Sequence, residues 1–171
     1  MKIVYCSCVC SEDTYKKLFA DSKNMPGQQV QKYNRVMLQG LAQQENVKVE
    51  AISKLPLTSE NAQKRIVKVD KEVWKFATIQ YLPFVNIPKI SNLFQMICAA
   101  TSILKLNKKE LPVVILDVLN ISMGLGIVWA CKVRKIPLIG IVTDLPEFLV
   151  DNKFSDALPP YSFAVYTTIK K

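Results

Sequence analysis

Three runs within Pro112–Val142 decide the fold: PVVIL at 112–116, SMGLGIVWACKVRK at 122–135 and LIGIV at 138–142. The first is a continuous Val/Ile/Leu run, the pattern of a parallel strand covered on both faces. In the second, Ser122 is a good N-cap for a helix through Lys135. Lys132, Arg134 and Lys135 place positive charge at the negative end of that helix. The third is another apolar strand. A strand, a helix and a strand in succession form a crossover unit, which joins parallel neighbours.

The rest of the chain continues the alternation. Lys2–Cys8 is β-rich and is expected to be a buried first strand. A long connection, 9–26, holds a short helix around Thr14–Ala20; such a loop in a compact domain is usually functional or mobile. Pro26-Gly27 opens a helix that stops near Glu45-Asn46. Val30, Tyr33, Met37 and Leu41 recur at helical spacing as its apolar face, with Gln31, Lys32, Arg35 and Gln39 opposite. Val47–Ile52 alternates as a second strand, and Arg65–Val69 and Thr78–Leu82 are less regular strand candidates. Ile90–Leu106 is a helix apolar nearly all round, expected to be covered; Lys105, Lys108 and Lys109 complement its C-terminal dipole. Phe163–Thr167 is a candidate last strand. The expected fold class is α/β: a Rossmann-like, doubly wound, mainly parallel sheet with helices on both faces. No boundary divides the chain, so residues 1–171 form one domain.

Half of the 171 residues are hydrophobic, as in a folded globular chain. The net charge is +9 and there is no histidine. That absence removes Ser-His and Cys-His nucleophilic pairs, an imidazole base and histidine-containing zinc sites. The basic excess implies an acidic partner (nucleic acid, an anionic membrane or a phosphorylated substrate), or else only solubility. Cys6, Cys8 and Cys10 are expected on one face of a strand, as small buried hydrophobes and not as metal ligands. An odd cysteine count without a signal peptide reads as reduced and cytoplasmic. No uncharged stretch reaches the roughly 20 residues needed to span a membrane. Trp74, Lys75, Phe76, Tyr81, Phe84 and Lys89, with the apolar helix after them, are candidates for touching an anionic membrane surface.

Ligands of open α/β sheets bind outside the carboxyl ends of the strands. Three places qualify. Gly27-Gln28-Gln29 is a helix start whose N–H groups suit phosphate or sugar hydroxyls, or else an ordinary Pro-Gly turn. Asp117–Gly126 puts Asn120 and Ser122 at a strand end, for binding a hydroxyl or merely capping a helix. Ile141–Pro146 ends a strand in Asp144, a carboxylate for a hydroxyl proton or a turn residue before Pro146. Neither the G-x-G-x-x-G nor the G-x-x-x-x-G-K-[ST] nucleotide fingerprint is present.

Four stretches carry a resemblance that covers the whole chain: GQQVQKYNR at 27–35 continuing to Gly40-Leu41-Ala42; NVKVEAI at 46–52; LDVLN at 116–120 with Gly124; and VTDLP at 142–146. In order and spacing the chain resembles the N-terminal half of the family-four retaining glycosyltransferases of GT-B architecture, notably bacterial polysaccharide enzymes. The resemblance implies a domain that binds a saccharide or lipid-linked saccharide acceptor. Gly27, Gln28, Asn34, Asn120 and Thr143 would contact the acceptor, and Asp144 would be the catalytic residue. The nucleotide-sugar donor would bind a second Rossmann domain bearing Glu-x7-Glu. No two glutamates here have that spacing, so no cofactor or metal is assigned to this chain and inactivity alone is expected. Gln28 stands where the family often has a second glycine; Asn120 and Thr143 stand where many members have histidine. The expected place is the cytoplasm, at the inner face of the membrane. Two alternatives remain: a non-catalytic partner completing a split enzyme with a separate donor-domain chain, or a basic nucleic-acid-binding domain, which rests on charge alone.

Overall fold

The structure is a computed structural model that describes residues 1–20, 28–75, 77–88, 90–110 and 112–142. The elements run β1 (Lys2–Ser7), α1 (Glu12–Leu18), α2 (Gln29–Ala42), β2 (Lys48–Lys54), β3 (Ile66–Val67), β4 (Glu72–Trp74), β5 (Ala77–Leu82), β6 (Phe84–Val85), α3 (Ile90–Leu104), β7 (Pro112–Asp117), α4 (Ile121–Arg134) and β8 (Leu138–Ile141). A 3-10 turn, Lys108–Glu110, precedes β7.

Six strands form one sheet in the order β4-β5-β2-β1-β7-β8. β5, β2, β1, β7 and β8 are mutually parallel, and β4 adds an antiparallel edge. Numbered along the chain, the parallel strands stand 3-2-1-4-5, an order compatible with a Rossmann-like fold. β1 is central, with all six residues buried. Its alternate side chains enter different clusters. Ile3 and Tyr5 join Tyr15, Phe19 and Leu38 from around α1 and α2; Val4 and Cys6 join Ala99, Ile103, Met123 and Ile127 from α3 and α4. At the amino end of the sheet, buried Lys2 pairs with Glu50 at 2.9 Å and Glu110 at 2.8 Å.

α3 and α4 approach closely because position 126 lacks a side chain: a Cβ there would run into the Met96 carbonyl. Arg134 ties the same pair together. Its Nη1 donates to the carbonyls of Leu104 and of Leu106, the latter at 2.8 Å. These carbonyls lie at the end of α3, where Lys105, Lys108 and Lys109 are expected from sequence.

Several expectations change. α1 begins at Glu12, with Ser11 Oγ accepting from Thr14 N at 3.1 Å. Asn120, not Ser122, is the N-cap residue of α4. The facing of α2 departs from expectation in its first half: Gln31, Asn34, Arg35 and Leu38 are buried and Val30 and Tyr33 are exposed, while Met37 and Leu41 pack against the core as expected. α3 is not covered all round, since Ile90, Leu93 and Ile97 are exposed at i, i+3 and i+7. Tyr81 and Phe84 are core residues, which removes them from any membrane-touching surface. Cys6 and Cys10 fall in different clusters because β1 ends at Ser7 and the strand's alternation ends with it. Phe76, Lys89 and Phe163–Thr167 lie outside the described residues.

Candidate functional site

Strand order reverses between β1 and β7, so the chain leaves the two carboxyl ends in opposite directions; this is the switch point at which open α/β sheets form their ligand crevice. After Ser7 the chain runs through Cys8, Val9 and Cys10 to the Ser11 cap. The buried polar stripe of α2 lies against this segment. Gln31 Nε2 donates to the Cys8 carbonyl at 2.8 Å, and Asn34 Nδ2 donates to the same oxygen at 3.3 Å. Asn34 Oδ1 accepts from the Tyr5 hydroxyl at 2.6 Å. Arg35 Nε donates to the Gln31 carbonyl at 3.1 Å, and its Nη1 pairs with Glu12 Oε1 at 2.8 Å. Glu12 Oε2 in turn accepts from Trp74 Nε1 at 3.1 Å. Hence α2 turns polar residues inward: their partners on β1, on the loop after it and on α1 wait at this end of the sheet.

A second clamp fixes the same loop from the sheet edge. The Ser11 N–H donates to the Tyr81 hydroxyl at 3.2 Å, and that hydroxyl donates to Glu72. Thr14 Oγ1 donates to the other Glu72 oxygen at 3.1 Å. Against so many satisfied groups two atoms stand out at this end of the sheet: Ser7 Oγ, which closes β1, has no hydrogen-bond partner among the described residues, and the other is on α2. Gln31 Oε1 is buried and accepts no hydrogen bond from a described residue.

Across the crevice, Asp117 closes β7. Its Oδ1 accepts from Leu119 N at 3.1 Å and its Oδ2 from Asn120 Nδ2 at 3.0 Å, an Asx-type turn that leads into α4. Burial pushes the Asp117 carboxyl up, and the Leu119 and Asn120 hydrogen bonds only partly restrain it. Burial also pushes the Cys8 thiol up to about 11, opposed by the charge of Lys54 and the Gln31 hydrogen bond and assisted by Asp117. Cys8, Gln31, Lys54 and Asp117 therefore share one electrostatic environment at the ends of β1, β2 and β7. A thiol held this high is protonated at neutral pH and is no nucleophile. The chemistry on offer is hydrogen bonding, with the charge of Lys54 beside it.

Of the site residues expected from sequence, three are described. Gln28 is the exposed N-cap residue of α2, with no side-chain capping bond. Asn34 is wholly buried under the crevice, with both ends of its amide engaged. Asn120 is half-buried beside Asp117. Asn34 is thus brought to the β1 side and Asn120 to the β7 side. Gly27, Thr143 and Asp144 lie outside the described residues. Gln31, Lys54 and Asp117 belong to the same region and were not singled out from sequence. Their signal is position alone: each stands at or just past the carboxyl end of a parallel strand, or on the helix that follows one.

Among the described residues, no group of three His, Cys, Asp or Glu side chains is placed to hold a metal ion. No described helix is long and apolar enough to cross a membrane. No family model, curated protein or solved structure matches the chain.

Proposed function

We propose that this chain is the acceptor-binding half of a glycosyltransferase that moves a sugar from a nucleotide sugar to a saccharide acceptor, one carried on a lipid, in polysaccharide synthesis. In this reading the sheet is doubly wound, helices cover both faces, and the domain is one half of a GT-B fold. The observation that carries it is the inward polar stripe of α2, which leaves Gln31 Oε1 buried and unfilled beside the crevice. A buried carbonyl oxygen without a donor is costly, and a sugar hydroxyl is a neutral donor that would fill it. Asn120 and Gln28 would flank the same sugar, and Asn34 would act through the Cys8 carbonyl it holds. Thr143 and Asp144 complete the set by the sequence resemblance, with Asp144 as the catalytic residue.

The donor would sit on a separate Rossmann unit, because transfer needs donor and acceptor held together in one closed cleft. Exposed Val30 and Tyr33, beside the Gln28 end of α2, suit contact with such a unit. Reconstitution tests the reading. The chain alone should give no measurable transfer; mixed with, or fused to, a donor-binding Rossmann domain of the same enzyme class, it should transfer to a lipid-linked saccharide. Turnover by the isolated chain would refute the assignment.

A further inference from the structure

A separate pocket of about 300 Å³ opens at the carboxyl end of β2, where α3 begins. Strand and helix run in opposite directions here, so their side chains can be followed outward together. Ile52 on β2 and Ala99 on α3 belong to one apolar cluster. Two residues further along the strand comes Lys54, and one helical turn back comes Gln95. Both line the pocket, with Thr58, Asn86 and Ser91 completing its polar wall. The core thus ends, on both elements at once, in a hydrogen-bonding residue.

Gln95 is 2% exposed, and its side chain makes no hydrogen bond to another described residue. Lys54 has no carboxylate within ion-pair distance among the described residues, and no acidic residue lines the pocket. The positive end of the α3 dipole adds to the same field. A cation, a buried amide and hydroxyls converge on one cavity, a donor set that matches a tetrahedral anion with several acceptor oxygens. The Ile90 and Ser91 N–H groups themselves donate to the Ile87 carbonyl, so the helix start contributes its field and not these donors.

We propose that this pocket binds a phosphate ester, with Lys54 neutralising the charge and the Gln95 amide and Ser91 hydroxyl donating to its oxygens. The inference deepens the acceptor reading and rests on it only for the identity of the ester: Ser53 is in register with Ser7, so Lys54 stands beside the end of β1 and the phosphate would lie beside the sugar crevice. The ester is then a sugar phosphate or the phosphate joining a saccharide to its lipid.

The test is an NMR titration of the full chain with inorganic phosphate at constant ionic strength, chloride replacing phosphate. Saturable shifts should appear at the Ser91 and Asn92 amides and the Gln95 side-chain amide. Lys54→Met should raise Kd at least about tenfold. Gln95→Leu should weaken binding as well, and Lys132→Met, on α4, should leave it unchanged. No saturable shift in the wild-type chain up to the order of 10 mM phosphate would overturn the proposal. So would an unchanged Kd in Lys54→Met. Phosphatidylcholine vesicles with and without phosphatidic acid separate the sources. Binding that requires both phosphatidic acid and Lys54 assigns a lipid-borne ester; Lys54-dependent binding of soluble phosphate alone assigns a soluble one. Phosphate binding without saccharide binding at Gln31 would refute the acceptor reading and leave the subsite standing; the converse would refute the subsite alone.

Discussion

The Tyr5 hydroxyl donates to Asn34 Oδ1 across 2.6 Å inside the protein, joining the central strand to the helix that covers the end of it. The same amide reaches Cys8 through its nitrogen, so one side chain sets both the tilt of α2 and the path of the loop beyond β1. Tyr5→Phe keeps the ring and leaves Asn34 Oδ1 without a donor. The expected cost is about 1–3 kcal/mol in urea unfolding, together with shifts at the Cys8 and Gln31 resonances. Unchanged stability and unchanged resonances would mean that the bond does not hold the loop.

Two glycines on helices should respond with opposite sign. Gly126→Ala drives a methyl group into the Met96 backbone, so α3 and α4 must separate, at a cost of about 3 kcal/mol. Gly40→Ala meets nothing within 4 Å and should stabilise by about 0.5–1 kcal/mol through the helix backbone. Equal effects at the two positions would contradict the close helix pair.

Stability should fall above about pH 9. In the unfolded chain the thiols titrate near the ordinary 9.0; burial pushes Cys8 up to about 11, Cys10 to about 12 and Cys131 to about 11. Burial raises the Tyr5 and Tyr81 phenols as well. The unfolded chain therefore releases protons first. The stabilisation is complete below the unfolded value and is lost as pH rises towards the folded ones. Urea midpoints at pH 7.5, 9 and 10.5 should descend; a flat series would contradict the buried state of these groups.

The exposed apolar residues Ile90, Leu93 and Ile97 of α3 and Trp129 and Val133 of α4 lie on a chain of net charge +9, with Lys132 and Lys135 exposed on or beside α4. Sedimentation with phosphatidylserine vesicles should show binding at low salt that weakens at high salt, each lysine near the surface contributing about 1 kcal/mol. Leu93→Asp with Trp129→Asp should weaken it at least about tenfold. No binding at low salt, or binding indifferent to salt, would exclude a peripheral membrane role.

The alternation of strands and helices was legible because a covered parallel strand needs a continuous apolar run, as at Pro112–Leu116. The facing of α2 was legible only at Met37 and Leu41, which pack against the core. Helical periodicity selects Val30 and Tyr33 as inward, yet the inward residues are Gln31, Asn34 and Arg35, whose partners Cys8, Tyr5 and Glu12 lie far away in sequence. A periodicity of hydrophobicity cannot register polar residues satisfied by tertiary contacts. β4 escaped for a different reason: it is three residues long and exists by pairing with β5. The place of Asn120 between a strand end and a helix start was legible. Gln31 was not, since nothing local marks the atom left unfilled.

The most direct measurement is a paired NMR titration of the isolated chain, once with a panel of nucleotide sugars and once with the saccharide portion of a lipid-linked acceptor. An acceptor-binding half should show saccharide-induced shifts at Gln28, at the Gln31 side-chain amide and at Asn120, and bind no nucleotide sugar more tightly than roughly millimolar. Micromolar binding of a nucleotide sugar, with no saccharide response at Gln31, would contradict it and make this the donor domain.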